Sequence, residues 1–220
     1  QGLPLRIART LEDGPPGDES PVFDLVFHYS QAADGEKTLK YAYPAGKRAM
    51  ESYANEEAIR YFSITAGMLE RDGVVDLVRV PLWLKCQRRI GELYLVTGRN
   101  DDAIGLFNRI LPHLGSSTAR AAAYRQISHA YFKKGDFANS ERYGADGLAL
   151  LGERLPLSTG QVILGILREF AVHLAIKAFP GLFMFRGGKG AGESDLLVIQ
   201  FYHSISWNYA LSSLLKFVRS

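Results

Sequence analysis

Cysteine is nearly missing from this chain: 220 residues include one, Cys86. An intramolecular disulfide is therefore excluded, which fits a reducing, cytoplasmic setting. The five histidines are His28, His113, His129, His173 and His203, and no two stand three or four residues apart. With a single thiol and no such pair, zinc-type ligand spacing is lacking, and no metal or other cofactor is expected. Charge of one sign is lacking as well. A formal net charge of +3 is too weak to imply nucleic acid or an anionic membrane as partner. No Gly-x-Ser-x-Gly run occurs, so nothing announces a serine nucleophile elbow.

Long uncharged apolar runs are missing too. The two most apolar stretches are Val162 to Phe185 and Leu196 to Val218. Arg168, Glu169, His173 and Lys177 interrupt the first, and Gln200, His203, Asn208 and Lys216 interrupt the second. A membrane span needs about 20 nearly uncharged residues, so buried or amphipathic helices are expected instead. No basic-then-apolar leader opens the sequence. The chain starts at Gln1 rather than methionine, and the expectation is a piece of a longer or processed protein.

What is present is apolar material in quantity. Hydrophobic residues make up 47% of the chain, enough to bury the core of one large or two small domains. Every segment carries helical periodicity, and no run alternates convincingly as a strand. Leu5, Ile7 and Ala8 predict a short helix within residues 1–10. Leu11 to Pro21 reads as a loop through Gly14-Pro15-Pro16-Gly17, with Ser20 a cap and Pro21 a first-turn residue. Helices follow over Val22–Ala33, Glu36–Ser52 (with a kink expected at Pro44) and Asn55–Glu70, which Asp72-Gly73 ends. The next starts near Asp76 or at Pro81 and reaches Val96. Leu155 to Thr159 reads as a connector, with further helices over Gly160–Phe179 and Glu193–Arg219.

The glycine-rich loop Arg186 to Ser194 (RGGKGAGES) places a lysine among glycines before a helix. The phosphate-cradling loop requires Gly-Lys-Ser/Thr after a strand. Here Lys189 is followed by Gly190 and no strand precedes it, so a helix connector is the expectation.

The organising stretch is Gln87 to Gly115. Ile90, Gly91 and Tyr94 share one helical face. Gly98 can take the left-handed conformation that ends a helix, and Asn100 or Asp101 can cap the next. Ala103, Phe107 and Ile110 form the facing stripe, where a small Ala103 permits close approach. The grammar recurs over Ala123 to Leu150: Tyr124, Ile127, Ser128 and Tyr131, a Gly135-Asp136 turn, and Ser140 in the small slot. Two earlier stretches echo the second half of the unit, with Thr38 and Ala58 in that slot, at uneven spacing. Recurrence of this kind is the mark of a helical solenoid.

This pattern resembles the tetratricopeptide repeat family, whose consensus has an aromatic, Leu-Gly and Tyr in the first helix, Gly-Asp/Asn at the turn, and Ala, Phe and Ala in the second. Gln87 and Tyr124 stand at the first aromatic, and Ile90-Gly91 and Ile127-Ser128 at Leu-Gly. Gly144 and Gly147 depart from the pattern, which predicts looser packing of that second helix. The resemblance implies an all-α, antiparallel helix-hairpin solenoid of about nine helices that bind through a concave inner face. On this chain the groove positions are Lys85, Arg88, Glu92 and Leu95, then Arg125, His129 and Phe132, with Lys40, Tyr43 and Lys47 from a weaker unit. The set is net basic with aromatics, so a protein or peptide partner is expected, with acidic or C-terminal-carboxylate peptides the candidate class. A solvated charged face is the plain alternative.

LRIARTLE (Leu5 to Glu12), followed by the stretch Phe27 to Phe62, resembles the junction after the nucleotide-binding region of multidomain signalling ATPases, some of which carry adenylate cyclase or serine/threonine kinase domains. That resemblance implies that residues 1–21 are the tail of an upstream domain and that 22–220 form a helical sensor or regulatory arm. It contacts other domains of the same polypeptide and has no catalytic residues of its own. Two alternatives stand beside it. One is a segment of a nucleotide cyclase or ATP-binding kinase with its chemistry elsewhere. The other is a stand-alone scaffold assembling through the apolar last helix (Leu196, Leu197, Ile199, Tyr202, Ile205 and beyond).

Overall fold

The computed structural model describes residues 2–14, 21–71, 74–75, 78–153, 192 and 194–205. Among them the chain is all-helical apart from one very short ladder. The helices are α1 (Leu3–Glu12), α2 (Val22–Gln31), α3 (Gly35–Glu51), α4 (Asn55–Leu69), α5 (Val80–Val96), α6 (Asn100–Ile110), α7 (Ser117–Lys133) and α8 (Phe137–Leu150), with a 3-10 turn at Leu111–His113. Residues 194–205 are also helical and are called α9. The chain divides into two compact units, Gln1–His113 and Leu114–Ser220.

One turn design recurs. Three residues join α2 to α3, α3 to α4, α5 to α6, and α7 to α8. The middle residue of each is left-handed: Ala33 (φ 54°), Tyr53 (φ 59°), Gly98 (φ 78°) and Gly135 (φ 75°). The next amide then donates back to the carbonyl five residues earlier, Asp34 to Tyr29 (3.0 Å), Ala54 to Ala49 (2.9 Å), Arg99 to Tyr94 (2.8 Å) and Asp136 to Tyr131 (3.0 Å). This is the helix-ending loop that satisfies orphan carbonyls. Five residues after each left-handed position stands a buried residue in the small slot: Thr38, Ala58, Ala103 and Ser140.

The slots look unevenly spaced in sequence because α3 belongs to two hairpins. It is the second helix relative to α2 and the first relative to α4. In that first-helix role, Gly46 lies twelve residues before Ala58, as Gly91 does before Ala103. A Cβ at Gly46 would stand 2.8 Å from the Phe62 ring, and one at Gly91 would stand 2.7 Å from Phe107 Cζ. The bare glycine backbone is what lets each ring lie flat against the preceding helix. In the second unit Ser128 takes the glycine position. Its hydroxyl donates to the Ser140 carbonyl at 2.7 Å, so the buried polar group is satisfied.

Gly144 and Gly147 do not loosen α8. They form a notch that α9 fills. A Cβ at Gly147 would be 2.3 Å from Phe201 Cζ, and one at Gly144 would be 3.3 Å from Ile205. Phe201 and Ile205 stand four residues apart on one helical face and join Ala121 and Leu148 in a buried cluster.

Other boundaries differ from the sequence reading. Helix α1 continues through Leu11 and Glu12 rather than ending near residue 10, because Leu11 packs with Ala8, Leu25 and Tyr29. Pro21 is the N-cap of α2, one place before the first turn. Helix α3 runs on through Pro44. Pro81 does sit in the first turn of α5. Helix α6 begins at Asn100, with Arg99 as its N-cap and no side-chain cap, so neither Asn100 nor Asp101 takes that role. The strand reading needs correction too. Glu70–Arg71 and Val74–Val75 pair antiparallel, Glu70 opposite Val75 and Arg71 opposite Val74. The expectations for residues 15–20, for Asp72-Gly73 and Asp76, for residues 154–191 with most of the glycine-rich loop, and for the last helix from residue 206 onward lie outside the described residues.

Tyr53 offers a local test. Its side chain is 87% exposed, so it gives little packing in return for a left-handed backbone that costs a non-glycine residue roughly 1–2 kcal/mol. Tyr53→Gly is expected to raise the melting temperature by about 2–4 °C, equivalent to about 1 kcal/mol. A lower melting temperature would show that the turn is not left-handed there.

Candidate functional site

The groove residues picked from sequence divide between the two units. In the first, α5 presents Lys85 and Arg88 on its exposed side, with Glu92 half-buried. Together with Arg89 and with Tyr43 of α3, they line a cleft of about 200 Å³. Tyr43 is held in place by the Phe62 ring, 5.6 Å away between centroids. On its other side Tyr43 borders a wider, open depression with Pro44, Lys47, Arg48, Glu51 and Ser52. One aromatic side chain thus lines both hollows. Leu95 is 4% exposed and offers almost no surface.

The charges in the cleft are not equivalent. Arg89 donates to Glu92 at 2.9 Å. Lys85 and Arg88 have no carboxylate partner among the described residues. Three cations against one carboxylate leave a surplus of positive charge facing solvent, arranged around an aromatic wall. That chemistry suits a carboxylate or phosphate with an apolar neighbour. The volume is below the roughly 300–1,000 Å³ typical of drug-sized ligand pockets and fits a side chain.

In the second unit, Arg125, His129 and Lys133 recur every four residues along α7, so they share one face. Burial pushes the His129 imidazole below its ordinary range, and the charges of Lys133 and Arg125 add to that. It is therefore a neutral group between two cations. Phe132 is half-buried and packs edge-on against Phe137, with centroids 5.8 Å apart.

A second charged constellation escaped the sequence reading. Lys40, taken there as a groove residue, is engaged with Glu12 of α1. The Glu12 carboxylate receives Lys37 Nζ at 2.7 and 2.8 Å and Lys40 Nζ at 2.9 Å, and the hydroxyls of Tyr29 and Tyr41 donate to it as well. Lys37 and then the other three donors hold this carboxyl far below the usual carboxylate range. Burial, and then the bond to Glu12, push the Tyr29 phenol up to about 12. Spacing could have shown that Lys37 and Lys40 share a face of α3. No local signal pairs them with a residue 25 and 28 positions away.

Other chemistry is sparse among the described residues. No group of three or more His, Cys, Asp or Glu could hold a metal ion, and no helix is long and apolar enough to cross a membrane. Cys86 is buried, and that burial pushes its thiol up to about 12, so it is a poor nucleophile. On α9, Leu197, Phe201 and Ile205 are buried while Leu196 and Ile199 are exposed.

No family model matches the chain, and no curated protein or solved structure matches it either.

Proposed function

We propose that this chain is a non-catalytic protein-interaction and regulatory module, built of tetratricopeptide-like helical hairpins, that binds acidic peptide segments. The observation that carries this reading is the α3–α5 cleft, where Tyr43 stands beside Lys85 and Arg88, neither with a carboxylate partner among the described residues. Support for the repeat reading comes from the four like turns, each followed at the same offset by a buried residue in the small slot. An acidic side chain would pair with Lys85 and Arg88, and its neighbour would pack on Tyr43. In a larger signalling ATPase, the parent we infer from residues 5–62, such capture would bias the attached domain only if the peptide binds its two states with different affinity.

A peptide-array screen of the whole chain tests this. Acidic peptides are expected to bind, and Lys85→Glu/Arg88→Glu is expected to lose them by tenfold or more, as roughly 1.4 kcal/mol requires. The loss should shrink in high salt, because the pairs are solvent-exposed. Binding that the double variant keeps would overturn the assignment.

A further inference from the structure

The Glu12 contact is asymmetric. Every donor to the carboxylate lies on the α2–α3 hairpin: Tyr29 on α2, and Lys37, Lys40 and Tyr41 on α3. Only the anion comes from α1. The donors are also organised among themselves. The Tyr29 and Tyr41 rings stack with centroids 5.9 Å apart and planes 5° apart. Lys37 Nζ lies 5.7 Å from the centre of the Tyr29 ring and Lys40 Nζ 4.8 Å from that of Tyr41. Such ammonium–ring contacts are attractive in their own right. Tyr29 is 1% exposed and fixed, while the side chains of Lys37 and Lys40 remain 39% and 57% exposed. Two cations bond the Glu12 carboxylate, while the Asp34 carboxylate caps α3 beside them and acts on Tyr29.

The helix that supplies the anion is held lightly. Among its residues only Ala8 is buried; Leu5 and Leu11 pack against the hairpin from its edge. The Glu12 carboxylate adds a polar anchor to that small apolar contact.

We propose that the α2–α3 hairpin carries a receptor site for acidic peptide segments, and that Glu12 occupies it as an internal ligand which a partner must displace. A segment with two or more carboxylates competes by giving each lysine its own anion, where Glu12 shares one carboxylate between them. The site shares with the α3–α5 cleft only the class of ligand, and either can stand without the other.

The test uses a fluorescein-labelled oligoglutamate peptide and fluorescence anisotropy on the whole chain. Glu12→Gln empties the receptor of its anion, and Leu5→Asp loosens α1 while leaving Glu12 in place. Both are expected to tighten peptide binding about tenfold, as when a competing closed state is removed. Both should also speed tryptic cleavage after Arg6 and Arg9. Adding Lys37→Ala/Lys40→Ala to Glu12→Gln should abolish the gain, whereas adding Lys85→Glu/Arg88→Glu should leave it. Faster cleavage with unchanged affinity would overturn the proposal, as would no change in either. A gain that survives loss of Lys37 and Lys40 but not of Lys85 and Arg88 would overturn it while leaving the cleft intact.

Discussion

Phe107→Ala is expected to destabilise the Gln1–His113 unit by about 3–5 kcal/mol, the usual cost of emptying a buried phenylalanine site. The ring is 2% exposed and lies on the Gly91 backbone. Phe62, fully buried against Gly46, should cost a similar amount when truncated. Urea denaturation measures both. The partner glycine gives the complementary experiment. Gly91→Ala places a methyl 2.7 Å from Phe107 Cζ, and overpacking of that kind costs about 1–3 kcal/mol. In a Phe107→Leu background the same change should cost less, since contacting residues do not act additively. A Phe107→Ala loss below about 1 kcal/mol, typical of a surface site, would show that the hairpin register is wrong.

Gly147→Ala is the second large effect, and its sign is informative. An exposed mid-helix glycine normally gains about 1 kcal/mol on becoming alanine. At Gly147 the added Cβ would meet Phe201 Cζ at 2.3 Å and Tyr124 Cβ at 3.1 Å. Phe201 is fully buried and cannot swing aside without leaving the cluster with Ala121 and Leu148. The expected outcome is a net loss of about 1–3 kcal/mol, with α9 released from α8 and its amides exchanging faster. Gly105→Ala is the control, since nothing lies within 4 Å of its would-be Cβ. It should stabilise by about 0.5–1 kcal/mol. Equal and favourable shifts at both positions would mean that α9 does not occupy the notch.

The turns and slots were legible because they are local. Gly98 and Gly135 mark left-handed residues that glycine adopts freely, and Ala103 and Ser140 follow each by five. Tyr53 and Ala33 were harder to read, since neither residue type signals a left-handed backbone. Gly46 went unrecognised because α3 serves two hairpins, and a reading that assigns each helix one role sees only Thr38. The notch at Gly144 and Gly147 looked like a defect because its fillers, Phe201 and Ile205, come from more than 50 residues away. In the candidate site, Lys85, Arg88 and Glu92 come from the resemblance to the repeat family, which also supplies Tyr43 from a separate, weaker unit. Their meeting in one cleft depends on α3 and α5 both packing against α4, which no spacing within either helix encodes. Leu95 shares the α5 spacing of that set, yet it is buried, because periodicity fixes a face without fixing how far the neighbours cover it. Glu12 illustrates the same limit: a carboxylate at the end of a short helix reads as solvated until a hairpin closes on it.

The central claim is that the basic cleft between α3 and α5 is where acidic peptides bind. The most direct measurement is photo-cross-linking of an array-selected acidic peptide to the whole chain, with the sites mapped by mass spectrometry. The account predicts cross-links on Tyr43 and Lys47 of α3 and between Lys85 and Glu92 of α5, lost in Lys85→Glu/Arg88→Glu. Cross-links confined to other helices, or unchanged in that variant, would contradict it.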